Sequence, residues 1–272
     1  MGEADAGPGR YEVRSPDGTV LGGTATGRGT PVILVHGAAS DSRQWTRLVP
    51  YLADQFLVVA MDRRGRRRSG PQRGDHSLAD EASDIAAVAA SWNRPVHLVG
   101  HSSGARYALL AAPQIDGLMS LTLFEPPAPE AISDELLDRL ADLAERRDWV
   151  GVLRMFFVSA VGMTDAEFAS LRDRPIWPVM VDNAASLPAE LGATYHAHRN
   201  AVPPPSLAVP TLLLVGEESG PELRAAADEL AAGLARATVT TLRGEGHGAM
   251  CRSPELFAQT VAGFIAAQTA SQ

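Results

Sequence analysis

The stretch with the residue types for nucleophilic chemistry is Gly100-His101-Ser102-Ser103-Gly104, a G-x-S-x-G pattern. Before it runs an apolar segment too short for a helix, with Val96, Leu98 and Val99, and after it comes a run rich in Ala and Leu. A strand, a sharp turn and a helix in that order, with small glycines flanking the serine, hold its hydroxyl exposed above a sheet edge. Ser102 is therefore the candidate nucleophile. A bare match recurs by chance in roughly one chain in ten at ordinary glycine usage, so it is the surrounding elements that give the match its meaning.

Those elements alternate. Tyr11 to Ser15 and Thr19 to Thr24 read as a hairpin around Pro16-Asp17-Gly18, after a tail at 1–9 rich in Gly, Ala and acidic residues. Val32 to Val35 and Phe56 to Ala60 are continuous apolar runs of the kind that fill strands buried on both faces. Between them Gln44 to Leu52 is helical. Ser77 to Trp92 predicts a helix with Ser77 as its N-cap, and Leu118 to Phe124 a further strand, ended by Glu125-Pro126-Pro127. After the prolines the strand pattern gives way to helical periodicity, broken at Pro175, Pro178, Pro188 and Pro203-Pro204-Pro205. It resumes with strands at Thr211 to Val215 and Thr238 to Leu242, and helices at Ala226 to Leu234 and Pro254 to Ala267. Alternating strands and helices predict an α/β fold, a doubly wound and mostly parallel sheet. A helical cap is inserted over its carboxyl edge, where such sheets bind ligands. The expected division is core at 10–127, cap at 128–207 and core again at 208–269.

Composition narrows the partners. A formal net charge of −8 over 272 residues argues against a general affinity for nucleic acid or an anionic membrane, both of which need a basic field. Arg63, Arg64, Arg66, Arg67, Arg68 and Arg73 form the one basic cluster, read as a solvated loop, with an anion contact as the alternative. The single cysteine, Cys251, excludes an intramolecular disulfide and fits a reducing cytoplasm. The first ten residues have no apolar stretch of signal-peptide type, and no apolar run reaches the roughly 18 residues needed to span a bilayer. The expectation is a cytoplasmic protein acting on a small molecule, with neither cofactor nor metal, and a homodimer is left open.

From Tyr11 to Ala267 the chain resembles the α/β-hydrolase superfamily with a helical cap. The landmarks stand in the superfamily's order: His36-Gly37 after a strand, Asp62 with Arg64-Gly65 after the next, the serine turn, and His247 after the last strand. The resemblance implies chemistry that each part must serve. A serine hydroxyl needs an imidazole to take its proton during attack and to return it to the leaving group, and His247 is the best base. His36 belongs to the loop near the oxyanion hole and orients backbone, while His101 is structural or pocket-lining. The oxyanion donors are the backbone N–H groups of Ala38 and Ser103. Asp62 tethers a loop in the motif D-x-R-G-x-G-x-S, whose second glycine is Arg67 here, which puts the usual tight loop in doubt.

The third member departs from the superfamily's usual place. Three residues beyond Gly216, where most members carry the acid, this chain has Ser219. Some members place the acid at the exit into the cap, where this chain has Glu125. The expectation is Glu125 as the triad acid, against Glu217 or Glu218 as substitutes and against a role for Glu125 in merely capping that exit or pairing with an arginine. Among the apolar cap residues, Phe157, Trp177 and Met180 are the candidates to line the pocket. The implied activity is hydrolysis of a carboxylic ester or lactone of a medium-sized, mostly apolar substrate. Halide displacement and epoxide opening on this fold use an aspartate nucleophile, and Ser102 argues against both. Carbon–carbon bond hydrolysis, thioester hydrolysis or acyl transfer on the same residues, and a hydrolase-fold protein that binds without catalysis, stand as alternatives. Ser102-Ser103-Gly104-Ala105, Glu125 with its prolines, and Pro254-Glu255-Leu256-Phe257-Ala258 are similar to the resorcylic-lactone (zearalenone) hydrolases.

Overall fold

Eight strands form one sheet in the order β1-β2-β4-β3-β5-β6-β7-β8 in the computed structural model, which describes residues 9–74, 76–127, 132–199 and 207–269. The strands are β1 (Gly9–Arg14), β2 (Val20–Thr26), β3 (Pro31–Val35), β4 (Leu57–Met61), β5 (Val96–His101), β6 (Leu118–Phe124), β7 (Thr211–Gly216) and β8 (Ala237–Leu242). The β1-β2 hairpin joins antiparallel to β4, and every pairing from β4 to β8 is parallel. The helices are α1 (Val49–Ala53), α2 (Leu78–Ala90), α3 (Ser103–Ala111), α4 (Asp134–Glu145), α5 (Trp149–Arg154), α6 (Asp165–Leu171), α7 (Trp177–Asn183), α8 (Leu187–Arg199), α9 (Pro221–Ala232), α10 (Ala249–Arg252) and α11 (Pro254–Thr269).

The period-2 alternation of the central strands divides the core. Ile33, Val35, Val59 and Met61 face a cluster with Ile85, Val88, Ala105, Ala108 and Ala227, from α2, α3 and α9. Val32, Leu34, Val58 and Ala60 face Leu52, Phe257, Val261 and Ile265, from α1 and α11. Helices on both faces make the sheet doubly wound, and they bury the parallel strands on both sides, which is why those strands read as unbroken apolar runs. Ser77 caps α2 as expected, in a capping box with Asp80: Ser77 Oγ accepts from the Asp80 N–H at 3.2 Å, and the Asp80 carboxylate accepts from the Ser77 N–H at 2.9 Å.

The helical stretch expected over Gln44 to Leu52 is two pieces, a 3₁₀ turn at Ser42–Trp45 and then α1, which has Pro50 in its first turn where a missing N–H costs nothing. Gly9, assigned to the tail, pairs with Ala25 in the sheet, and 1–8 lie outside the described residues. Between β6 and β7, α4 to α8 pack around their own apolar cluster of Leu140, Val152, Leu153, Phe168 and Leu187. The expected boundary at 128 and the break at Pro203-Pro204-Pro205 also lie outside the described residues. Among the described residues no helix is long and apolar enough to cross a membrane.

Candidate active site

Ser102 sits between the end of β5 and the start of α3 with φ 54° and ψ −127°, a conformation that costs a non-glycine residue about 1–3 kcal/mol. The turn closes because its glycines leave no side chain in the way. A Cβ on Gly100 would lie 2.5 Å from the Ala105 Cα, and one on Gly104 would collide with the Val35 and His36 carbonyl oxygens. The Ser102 N–H donates to the Phe124 carbonyl at 2.9 Å, which ties the turn to the neighbouring strand. Ser103 opens α3, so its N–H is one of the first-turn donors without an intrahelical partner. The loop after β3 approaches from the other side: a Cβ on Gly37 would stand 3.1 Å from the Ser102 Cβ.

Glu125, the residue after β6, has φ 47° and is anchored by its N–H to the Leu214 carbonyl at 3.0 Å. Its carboxylate is fully buried and reaches across the sheet edge. Oε1 accepts the Gly216 N–H at 2.6 Å, and Oε2 accepts from His247 Nδ1 at 2.5 Å. Burial pushes this carboxyl up, but the hydrogen bond and charge of His247 and the Gly216 N–H outweigh it, and the net shift is down. A carboxylate here holds the Nδ1–H tautomer, which leaves Nε2 of the neutral ring with its lone pair free. The other acidic candidates face elsewhere: Glu217 Oε2 accepts the Gly244 N–H at 2.8 Å, and Glu218 pairs with Arg252 at 3.0 Å.

Two further histidines hold the site without titrating near neutrality. Gln44 Nε2 donates to His101 Nδ1 at 3.2 Å, so the proton on His101 Nε2 goes to the His247 carbonyl at 3.0 Å. His36 accepts the Arg63 N–H on Nε2 at 3.1 Å and donates from Nδ1 to the Gly37 carbonyl at 2.9 Å. Burial drives both imidazoles well below their ordinary value, reinforced by His247 for His101 and by Arg63 for His36. Asp62 Oδ1 accepts the Ser42 N–H at 2.9 Å, a loop tether. Arg67, at the position of the missing second glycine, takes φ 31°.

Half of the basic cluster is not solvated, while Arg67 and Arg73 are exposed as a solvated loop requires. Arg63, Arg64 and Arg66 are buried. Arg64 holds Asp84 through two bonds of 2.6 Å, Arg63 holds Glu81 at 2.7 and 2.9 Å, and Arg66 reaches Glu190 of α8 at 2.7 Å. Glu190 also pairs with Arg63. A run of arginines reads as solvent-facing only if no carboxylate waits beneath. The missed signal was Glu81 and Asp84 on the same helix as Ile85 and Val88, where buried acids demand cationic partners.

Phe157, Trp177 and Met180 are half-buried and pack against the apolar cluster of the inserted helices, as does Ala38. Arg172 covers one face of the Trp177 ring at 5.7 Å. Apolar side chains of the insertion therefore extend to the loop beside Ser102.

A strained serine turn at the carboxyl end of a parallel sheet, with a carboxylate-bound histidine at the same edge, defines an α/β protein of hydrolase type. A sequence profile of the alpha/beta hydrolase family matches residues 32–260, and the chain belongs to that family. It is 41% identical over 99 residues to a pimeloyl-[acyl-carrier protein] methyl ester esterase of Methylococcus capsulatus, covering 36% of this chain and 37% of the relative. It is 40% identical over 105 residues to an N-formylmaleamate deformylase of Pseudomonas putida, covering 37% and 39%. The chain thus spans well under half the length of the curated relatives it matches. An alpha/beta hydrolase from Sphaerobacter thermophilus superposes with TM-score 0.82 at 29% identity, over 93% of this chain and 99% of that one. An esterase from Thermogutta terrifontis superposes at 0.73 with 22% identity, over 96% and 99%, a likeness of fold.

Proposed function

We propose that the protein is a serine hydrolase that cleaves a carboxylic ester or lactone through an acyl-enzyme on Ser102. The observation that carries this reading is the 2.5 Å contact from His247 Nδ1 to the buried Glu125 carboxylate, at the same sheet edge as a serine held in a strained turn. In acylation, His247 Nε2 takes the Ser102 proton as Oγ bonds to the substrate carbonyl carbon. The oxyanion that forms is met by the N–H groups of Ala38 and Ser103, and Glu125 stabilises the imidazolium. As the tetrahedral intermediate collapses, the C–O bond to the leaving alcohol breaks and that oxygen takes the proton from His247. Water then repeats the sequence on the acyl-enzyme, releasing the acid and freeing Ser102. For a lactone the leaving alcohol stays tethered to the acyl group.

The half-buried Phe157, Trp177 and Met180 serve as walls for a medium-sized, mostly apolar acyl or alcohol portion. The relatives named as a methyl ester esterase and a deformylase fit hydrolytic chemistry on this frame. The test is labelling by an organophosphonate together with turnover of p-nitrophenyl esters and a lactone panel. Wild type labels on Ser102 and turns over, while Ser102→Ala and His247→Ala each lose nearly all activity and keep the fold. A double mutant little worse than either single one is expected, because triad members act as a unit. More than a few per cent of activity in Ser102→Ala overturns the acyl-enzyme.

A further inference from the structure

The Ala38 N–H belongs to the same peptide unit as the Gly37 carbonyl. That unit is planar and trans, so its C=O and N–H point in opposite directions, and whatever anchors the Gly37 oxygen also aims the Ala38 N–H. Two donors hold that oxygen, His36 Nδ1 at 2.9 Å and Arg63 Nη1 at 3.2 Å. His36 is itself fixed by the Arg63 N–H, which donates to its Nε2 at 3.1 Å. Arg63 therefore grips this peptide twice, directly through its guanidinium and indirectly through its main chain.

The guanidinium is held in turn from both halves of the molecule. From the sheet side, Glu81 accepts from Nε at 2.9 Å and from Nη2 at 2.7 Å, and the Tyr107 ring lies 4.4 Å beneath the guanidinium carbon. From the inserted helices, Glu190 of α8 accepts from the same Nη2. Glu190 also accepts from Arg66 Nη2 at 2.7 Å, and Arg66 Nε holds the Ser40 carbonyl at 3.2 Å, so both ends of the Gly37 to Ser40 loop lead back to one carboxylate. The side chains of Arg63 and Glu81 are fully buried and that of Glu190 is 4% exposed, so water offers no substitute partner.

We propose that Arg63 is a positioning residue for the oxyanion donor, and that Glu190 makes its hold on the Gly37–Ala38 peptide depend on the seating of α8. The proposal rests on the acyl-enzyme reading above and goes beyond it, since Arg63 touches no reacting atom. Lysine cannot replace it, because one ammonium group cannot reach Gly37 O, Glu81 and Glu190 in the fixed fork that a guanidinium provides.

The experiment compares wild type with Arg63→Lys, Glu190→Gln and the pair Arg63→Met/Glu81→Met. The pair removes the two buried charges together, an exchange often neutral for stability; it leaves Glu190 bound to Arg66 and takes the Glu81 carboxylate from the neighbouring His76, 3.3 Å away. Each is assayed for thermal unfolding, for kcat and KM on p-nitrophenyl butyrate, and for inhibition by an alkyl trifluoromethyl ketone and its methyl ketone counterpart. The fluorinated ketone bonds to Ser102 Oγ as its carbonyl oxygen becomes an oxyanion and His247 takes the proton; the methyl ketone only occupies the pocket. A misaimed donor is expected to cost about tenfold to hundredfold in kcat. The trifluoromethyl ketone should weaken by the same factor, with KM and methyl ketone affinity little changed. Glu190→Gln should show the smaller loss.

If Arg63→Lys fails to fold, the double variant decides. A folded double variant with wild-type kcat, or one in which both ketones weaken equally, overturns the proposal and leaves the acyl-enzyme standing. An unchanged kcat in Glu190→Gln overturns the part assigned to α8. Wild type that binds the two ketones equally overturns the acyl-enzyme reading, and this proposal with it.

Discussion

Glu125→Gln is the substitution whose consequence follows most directly from the geometry. The Gly216 N–H points at Oε1 and can be satisfied only by an oxygen, so the amide oxygen of glutamine must take that position and the NH₂ must face His247 Nδ1. A donor at Nδ1 forces the imidazole proton to Nε2, the nitrogen that accepts from Ser102 in the proposed mechanism. Charge is lost as well. With charge centres roughly 4 Å apart, a carboxylate and an imidazolium attract by about 4 kcal/mol at an effective dielectric near 20. The His247 side chain is 46% exposed, which screens this to roughly half. At about 1.4 kcal/mol per decade the charge accounts for one to two decades of rate. The wrong tautomer adds the rest, for a combined loss in kcat of about 10³ to 10⁴, the scale seen when a triad acid is neutralised. Steady-state kinetics on a p-nitrophenyl ester, with thermal unfolding as the control for folding, measure it. A Glu125→Gln enzyme within tenfold of wild type refutes the reasoning, and a larger loss in Glu217→Gln or Glu218→Gln would move the acid to the loop after β7.

In the Glu125→Gln background, Ser219→Asp is expected to recover at least about tenfold in kcat, because the Ser219 hydroxyl lies beside the Glu125 carboxylate and an acid there can meet the same imidazole. His97, buried on β5 with Nδ1 2.8 Å from Ser120 Oγ, is pushed by burial from 6.5 down to about 4. Between those values the unfolded chain binds a proton that the folded one does not. Its contribution to stability is therefore complete above pH 6.5 and is lost as the pH falls toward 4, up to about 3 kcal/mol. Urea melts from pH 4 to 7.5 should show a flatter dependence in His97→Gln, and an unchanged slope would discard the assignment. Ser77→Ala removes one half of the α2 capping box and should lower stability by about 1 kcal/mol, read as a shift in urea midpoint at constant slope.

The strands, most of the helix positions and the serine turn were determined by the sequence alone, because they are local. Unbroken apolar runs such as Val32 to Val35 specify strands buried on both faces, glycines at 100 and 104 permit the turn, and Ser77 with Asp80 starts α2 whatever lies elsewhere. The departure at Ser219 and the candidacy of Glu125 come from the resemblance to the superfamily, whose members carry the acid at one or the other of these places, and from no local signal in the residues themselves. What no local pattern holds is which groups meet. Three acids stood as candidates, and tertiary structure alone put Glu125 against His247, 122 residues away, while turning Glu217 and Glu218 to Gly244 and Arg252. The arginines after β4 are hydrophilic by composition, and only the packing of α2 beneath them and α8 above them buries Arg63 between Glu81 and Glu190. The physical reason is that backbone conformation follows the energetics of a few neighbouring residues. The environment of a charge depends on every element packed around it, and those elements are joined only when the sheet closes.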